Sequence, residues 1–153
     1  SAKVWCAASG ECSRTLRGHG RPVISAAFSP DGQRLLTAAW DCMAKVWCAA
    51  SGECLQTLGG HVNWVRSAKL SPDGRRLLTA ADDSAAKLWC VASGECLRTL
   101  RGHDGALLSA AFSPEGHQLL TASSDRTAKL WCAASGECLR TLEGHGGAVT
   151  CAA

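Results

Sequence analysis

The chain has 153 residues, enough for one ordinary domain, and carries a formal net charge of +3 with its basic residues scattered along the sequence. This mild and dispersed charge argues against a nucleic-acid-binding protein, and no apolar run approaches the roughly 20 residues of a membrane-spanning helix. We therefore expect neither a nucleic-acid partner nor insertion into a membrane.

A phrase at the N-terminus, SAKVWCAASGECSRTLRGH (1–19), returns three more times with few changes, at 43–61, 85–103 and 127–145. Successive copies begin 42 residues apart. A fixed period between about 20 and 50 residues is typical of solenoids, propellers and arrays, in which one small unit packs against its neighbours. The repeat therefore defines the folding unit.

The first complete repeat contains four short runs: VISAAF (23–28), RLLTAA (34–39), AKVW (44–47) and LQTL (55–58). Each run is too short for a typical helix, and turn signals separate the runs. In the SPDG turn (29–32), the proline presets the first turn position and the glycine can take a positive φ, which suits a hairpin. The pattern predicts four strands per repeat, with sheets covered on both faces because the runs are apolar or small throughout.

The same turn signals return at 71–74 and 113–116, so we predict three complete four-stranded units, 19–60, 61–102 and 103–144. Residues 1–18 supply the last two strands of another unit, and residues 145–153 resemble the first strand of one more. We expect residues 1–153 to form a single partial repeat domain.

The order GH, SPDG, LLTA with a following aspartate, and AKVW or AKLW resembles the WD-repeat β-propeller family over the whole chain. The family's usual aspartate after tryptophan is replaced by Cys6, Cys48, Cys90 and Cys132. The resemblance implies an all-β propeller of four-stranded antiparallel blades, with three complete blades and partial blades at both ends.

A histidine, a threonine, an aspartate and a tryptophan recur at fixed positions in each complete repeat. They are His19, Thr37, Asp41 and Trp47; His61, Thr79, Asp83 and Trp89; and His103, Thr121, Asp125 and Trp131. One such set resembles a hydrolase triad beside an aromatic wall, but three identical active sites in one small domain would be unusual. The resemblance to WD repeats implies a structural hydrogen-bond chain from tryptophan through threonine and histidine to aspartate. We therefore expect no catalytic activity.

Eight of the ten cysteines follow the repeat, in pairs that flank a predicted turn, and two are extra, Cys42 and Cys151. The paired cysteines could face each other on neighbouring strands. However, relaxed disulfide geometry is rare there and the spacing of a zinc site is absent. We favour reduced packing cysteines in an intracellular, cytoplasmic setting, with no metal and no cofactor. A redox-sensitive pair is the alternative.

Two tryptophans, Trp40 and Trp64, lie outside the repeated phrase at positions where the copies differ. By the resemblance, these positions belong to loops on the face where partners usually dock, and consecutive blades would place the two side chains next to each other. The same loops carry further candidate binding residues: Arg21, Asn63, Asp82, Asp104 and Arg126. Exposed tryptophan near arginine is typical of an interface hot spot, whereas loop capping or drift between repeats would also explain both tryptophans.

These observations predict a non-catalytic protein–protein interaction scaffold that forms a segment of a larger WD-repeat propeller. The alternative is a self-assembling structural repeat protein that completes its ring by oligomerisation, because open strand edges pair readily with another chain.

Overall fold

The computed structural model describes residues 1–152, which form fourteen β-strands and no helix. The strands are β1 Ala2–Trp5, β2 Cys12–Leu16, β3 Val23–Phe28, β4 Arg34–Ala39, β5 Met43–Cys48, β6 Cys54–Gly59, β7 Val65–Leu70, β8 Arg76–Ala81, β9 Ala85–Cys90, β10 Cys96–Arg101, β11 Leu107–Phe112, β12 Gln118–Ser123, β13 Ala128–Cys132 and β14 Cys138–Leu142.

Consecutive strands pair in antiparallel orientation within three four-stranded sheets and one two-stranded sheet. We call them blade 1 (β3–β6), blade 2 (β7–β10), blade 3 (β11–β14) and the half-blade (β1–β2). The predicted four strands per repeat are confirmed. In blade 1, the first two predicted runs match β3 and β4 at both ends. The strands β5 and β6 each extend one residue beyond the predicted run at both ends. The chain is an all-β partial propeller.

The hairpins that open each blade form as the turn residues predict. Gly32, Gly74 and Gly116 have φ values of 70°, 68° and 73°, a conformation that glycine reaches without steric cost. The amide of each glycine donates to the carbonyl of the serine that begins the turn. The first strands of neighbouring blades contact each other, so they line the inner side of the propeller.

The hydrophobic core lies between the blades. Leu36, Val46 and Leu58 of blade 1 pack against Val65 and Leu77 of blade 2, and a similar cluster joins blades 2 and 3. The second and third strands of each blade carry alanines that are almost fully buried, which lets adjacent sheets approach closely. Each blade is therefore stabilised mainly by its neighbours.

Polar side chains also join the blades. The guanidinium of Arg14 donates to the carbonyl of Ala50 in the next blade, and Arg98 donates in the same way to Ala134. Gln56 takes the corresponding position between blades 1 and 2, and its amide donates to Ala92. Every inter-blade junction thus has one contact from an outer strand to the following hairpin turn.

The strand predicted within 145–153 is not formed in residues 145–152, and Ala153 lies outside the described residues. This part of the prediction was wrong. In the complete blades the first strand pairs with the second strand, and among residues 1–152 no second strand lies beside this segment. The Val149 amide of this segment donates to the Ser123 carbonyl, at 2.9 Å.

The described residues contain no helix with the length and apolar character needed to cross a lipid bilayer.

Candidate functional site

The loops after the second and fourth strands of every blade lie at the same end of the sheets, because the strands alternate in direction. We call this end the tryptophan face, since Trp40 and Trp64 lie in these loops. The opposite end carries the serine–proline hairpins and the turns between third and fourth strands, and we call it the turn face.

The four side chains predicted to act together lie within hydrogen-bond distance in each complete blade. In blade 2, Trp89 Nε1 donates to Thr79 Oγ1 at 2.9 Å, and that oxygen lies 2.7 Å from His61 Nε2. His61 Nδ1 lies 2.9 Å from Asp83 Oδ2. The corresponding distances in blades 1 and 3 are 2.7 to 2.9 Å. The side chains there are His19, Thr37, Asp41 and Trp47 in blade 1, and His103, Thr121, Asp125 and Trp131 in blade 3.

The aspartate of each set also holds the loop that enters the blade. Asp83 Oδ2 accepts the amide of Val62 at 3.0 Å, and Oδ1 accepts the amide of Ala85 at 3.2 Å. Thr79 is fully buried in the second strand and Trp89 is buried in the third. These hydrogen bonds therefore connect two strands, β8 and β9, to two loops of the tryptophan face, and they position the side chains on those loops.

The imidazole of His61, in the middle of this hydrogen-bond chain, is neutral. Burial lowers the pKa of His61 and outweighs the opposing effect of Asp83. Burial alone would raise the pKa of Asp83, but the hydrogen bonds from His61 and the Val62 amide bring it below its usual value. The protons are thus ordered: the indole donates to threonine, threonine donates to Nε2, and Nδ1 donates to the carboxylate.

We predict that the free energy of unfolding decreases as the pH falls below about 6.5, the ordinary pKa of histidine. The pKa of His61 is lower in the folded protein than in the unfolded chain, so its contribution is fully present above the unfolded value. That contribution is lost as the pH falls toward the folded value, with a slope of at most about 1.4 kcal/mol per pH unit. Urea unfolding across this range should show a smaller slope for His61→Gln than for the original protein. An equal pH dependence of the free energy of unfolding in both proteins would show that a group other than His61 takes up the proton.

The two candidate tryptophans stack on each other. The ring centroids of Trp40 and Trp64 are 4.3 Å apart and their planes differ by 14°. Trp64 is 38% exposed, whereas Trp40 is more covered and its buried Nε1 has no hydrogen-bond partner among the described residues. The pair bridges blade 1 and the loop that enters blade 2, and its outer surface is aromatic.

Arg66, which the sequence analysis did not select, lies at the edge of the tryptophan pair. Its guanidinium carbon is 5.3 Å from the Trp64 ring centroid. Nε and Nη2 each donate to one oxygen of Asp82 at 2.7 Å, and this carboxylate raises the pKa of Arg66. Asp82 is therefore already paired within the protein. The signal was present in the sequence, because Arg66 occupies a position that is Ile24 or Leu108 in the other blades.

Val62 is a second residue that the sequence analysis missed. Its side chain is 87% exposed and lies two residues before Trp64. The equivalent residue after the histidine is glycine or aspartate in the other copies, so an apolar residue there stood out. Val62 extends the apolar surface of the tryptophan pair.

The remaining candidate residues lie on the tryptophan face but do not join the pair. Arg21, Asn63, Asp104 and Arg126 are exposed. Asn63 Oδ1 accepts the Trp64 amide at 2.8 Å, which shapes the loop. In residues 1–152, the side chains of the other three make no hydrogen bond and no ion pair.

The two cysteines of each repeat do not face each other. In blade 1 the strands pair Trp47 with Cys54, while the Cys48 amide donates to the carbonyl of Glu53. An irregularity between Val46 and Trp47 shifts the register, so the expected cross-strand pair is replaced by a diagonal one. All ten cysteines are free, and no three histidine, cysteine or acidic side chains of the described part converge on a possible metal position.

Comparisons with known proteins agree with this architecture. The family model described as "WD domain, G-beta repeat" matches residues 10–48, 52–90, 94–132 and 136–153. A search of curated proteins found no match. Among solved structures, the chain is similar to one titled "Structure of U3-55K", with 32% sequence identity and a TM-score of 0.84. The alignment covers 88% of this chain and 43% of that one, so this chain spans less than half of its length.

Proposed function

The chain belongs to the WD40 family of G-beta repeats, and we propose that it is a non-catalytic scaffold whose protein partner binds at the Trp40–Trp64 pair. Propellers of this family generally serve as protein-interaction scaffolds and are generally not enzymes. The partner and its binding position on this chain are our proposal.

The stacked tryptophan pair is the observation that carries this proposal. It replaces small or polar residues of the other repeats, and it presents an aromatic surface beside the strongly exposed Val62. Tryptophan and arginine are enriched in interface hot spots, and tryptophan buries a large area while ordering only two side-chain torsions. The rigid hydrogen-bond chain below the loops reduces the entropy that binding would cost.

The chemistry of the surface indicates the kind of partner. The charge of Arg66 is neutralised by Asp82, so the centre of the patch is apolar and nearly uncharged. Arg21 and Asn63 lie in the flanking loops and are exposed. We infer that the partner inserts an apolar or aromatic side chain against Trp64 and Val62, with polar or acidic groups around it.

Photo-crosslinking from single positions tests the proposal. A photoreactive phenylalanine analogue at Val62 should capture one defined protein from a cell extract. The same analogue at Leu139, an exposed position on the outer strand of blade 3, should not capture it. Capture of the same proteins from both positions would contradict the proposed site.

We also propose that these blades function within a larger propeller. This is supported by the partial coverage of the similar solved structure and by Trp5, which is 57% exposed although its counterpart Trp47 is 2% exposed. The exposed edge of the half-blade equally favours the alternative of self-assembly, in which a second copy covers it. The mass in solution distinguishes them: a stable closed oligomer supports self-assembly, and a monomer over a wide concentration range opposes it.

The free cysteines support a reducing location, and we propose the cytoplasm. Non-reducing peptide mapping of the protein purified from its source would contradict this if it found the repeat cysteines joined in disulfides.

A further inference from the structure

A cleft of about 480 Å³ opens between blades 1 and 2 on the turn face, away from the tryptophan pair. Its walls include the buried side chains of Val46 and Val91 and the half-exposed side chain of Leu55. This volume is sufficient for a small organic molecule. The cleft thus has an apolar interior and an open mouth.

Gln56 is one of the residues that distinguish this cleft from the neighbouring junctions. At the neighbouring junctions an arginine reaches across to the next hairpin: Arg98 Nε and Nη2 lie 3.2 and 3.0 Å from the Ala134 carbonyl. Gln56 occupies that position here and makes one hydrogen bond, from Nε2 to the Ala92 carbonyl at 3.2 Å. The glutamine side chain is shorter than that of arginine and lines the cleft.

Two arginines line the cleft. Arg34 contributes its guanidinium and is held by a hydrogen bond from Nη1 to the Gly74 carbonyl, at 3.1 Å. Arg75 also lines the cleft, is exposed, and its side chain makes no hydrogen bond or ion pair within residues 1–152. None of the described residues that line the cleft is acidic, and the nearest carboxylates that act on Arg75 and on the Cys90 thiol are those of Asp73 and Glu95 outside the lining. An anionic ligand with an apolar part fits these walls.

Cys90 brings a nucleophile to the same cleft. Its thiol lies at the start of the hairpin turn after β9 and is partly accessible. The Ser93 hydroxyl and the amides of Ser93 and Ala92 lower the pKa of this thiol, against smaller opposing effects of burial and of Glu95. A thiolate is the reactive form of cysteine, and nearby cations attract an anionic reagent. Cys48 and Cys132 occupy the same turn position, but neither lines this cleft.

We propose that Cys90 is a thiol–disulfide exchange site for small anionic disulfides, which the cleft between blades 1 and 2 binds beside Arg34 and Arg75. The Cys90 thiolate attacks one sulfur of the bound disulfide. A new sulfur–sulfur bond forms at Cys90 as the original one breaks, and the second half leaves as a thiolate that takes a proton from water. The small disulfide is the oxidant, and Cys90 ends as a mixed disulfide.

The test compares three cysteines within one molecule. The protein is treated briefly with a limiting amount of dithiobis(nitrobenzoic acid), an aromatic disulfide that carries carboxylates, and the modified peptides are quantified by mass spectrometry. We expect Cys90 to react about 10-fold faster than Cys48 and Cys132, because the cleft concentrates the anionic reagent. Equal rates at the three positions would overturn the proposal.

Reciprocal substitutions distinguish the effect of the cleft on cysteine reactivity from the effect of the turn, which Cys90 and Cys132 share. These variants are measured with the neutral hydroxyethyl disulfide, so that the change in charge does not affect the concentration of the reagent. Gln56→Arg restores the arginine of the other junctions and should bring the rate at Cys90 down toward that of Cys132. Arg98→Gln removes that arginine between blades 2 and 3 and should raise the rate at Cys132. An unfolded variant would react faster at every cysteine, so slowing at Cys90 alone cannot result from misfolding. An unchanged rate at Cys90 in Gln56→Arg would overturn the proposal.

A neutral reagent tests the role of charge. Arg75→Gln should slow the reaction of Cys90 with the anionic disulfide several-fold and leave its reaction with hydroxyethyl disulfide unchanged. An equal effect on both reagents would exclude electrostatic binding in the cleft. It would therefore count against the proposal.

Discussion

Thr79→Val should lower the free energy of unfolding by about 2 to 4 kcal/mol, because it leaves two buried polar groups without partners. Valine keeps the shape and the β-branched character of threonine but removes the hydroxyl. The indole N–H of Trp89 then has no acceptor, and Nε2 of His61 has no donor. Small domains are stable by only about 5 to 15 kcal/mol, so this loss should be large enough to measure directly by urea unfolding.

Thr99→Val provides the matched control. Thr99 also lies on a strand of blade 2, but it is exposed and its hydroxyl accepts a hydrogen bond from Lys87 Nζ at 3.0 Å. We expect this change to alter stability by no more than about 0.5 kcal/mol. Equal free energies of unfolding in the two variants would contradict a stabilising role for the hydrogen bonds between Trp89, Thr79 and His61.

Replacing both Trp40 and Trp64 with alanine should weaken binding of the crosslinked partner about 1,000-fold, since two hot-spot residues at about 2 kcal/mol each contribute about 4 kcal/mol. The pair forms the aromatic centre of the proposed site, and the loops that carry it are fixed by backbone hydrogen bonds from Trp40 and to Trp64. The fold should persist, because the main core clusters lie between the strands and do not include either residue. Titration with the purified partner measures the affinity, and circular dichroism measures the fold.

Phe28→Ala is the control for this double variant. Phe28 is a large aromatic side chain that is 61% exposed at the far end of β3, away from the tryptophan face. Its loss should leave partner affinity within about 3-fold of the original, as expected of a residue outside a hot spot. Unchanged affinity in the double tryptophan variant would show that the partner binds elsewhere.

The sequence was sufficient to predict the blades because each prediction depended on local signals that recur. The limits of β3 and β4 followed from apolar runs bounded by a proline–glycine turn, and the period identified which histidine belongs with which aspartate. The missing strand in residues 145–152 shows where this reasoning ends. An apolar run becomes a strand only when another strand pairs with it, and pairing depends on the rest of the sheet.

The details of the candidate sites depended on contacts between repeats, which periodicity does not describe. Asp82 was predicted to be available to a partner, yet Arg66 from the neighbouring strand pairs with it. The cysteine pairs were shifted by an irregularity of one residue that alternating patterns do not reveal. Gln56 resembled ordinary variation between copies, and its effect became visible only once the following hairpin was placed beside it.

The contacts from each outer strand to the next hairpin turn differ in the number of hydrogen bonds they contain. The junctions on either side carry an arginine with two hydrogen bonds to one carbonyl, while the junction at Gln56 carries a single amide contact. The junction between blades 1 and 2 therefore depends more on its apolar cluster than the others do on theirs, because it has the fewest hydrogen bonds from an outer strand to the following hairpin.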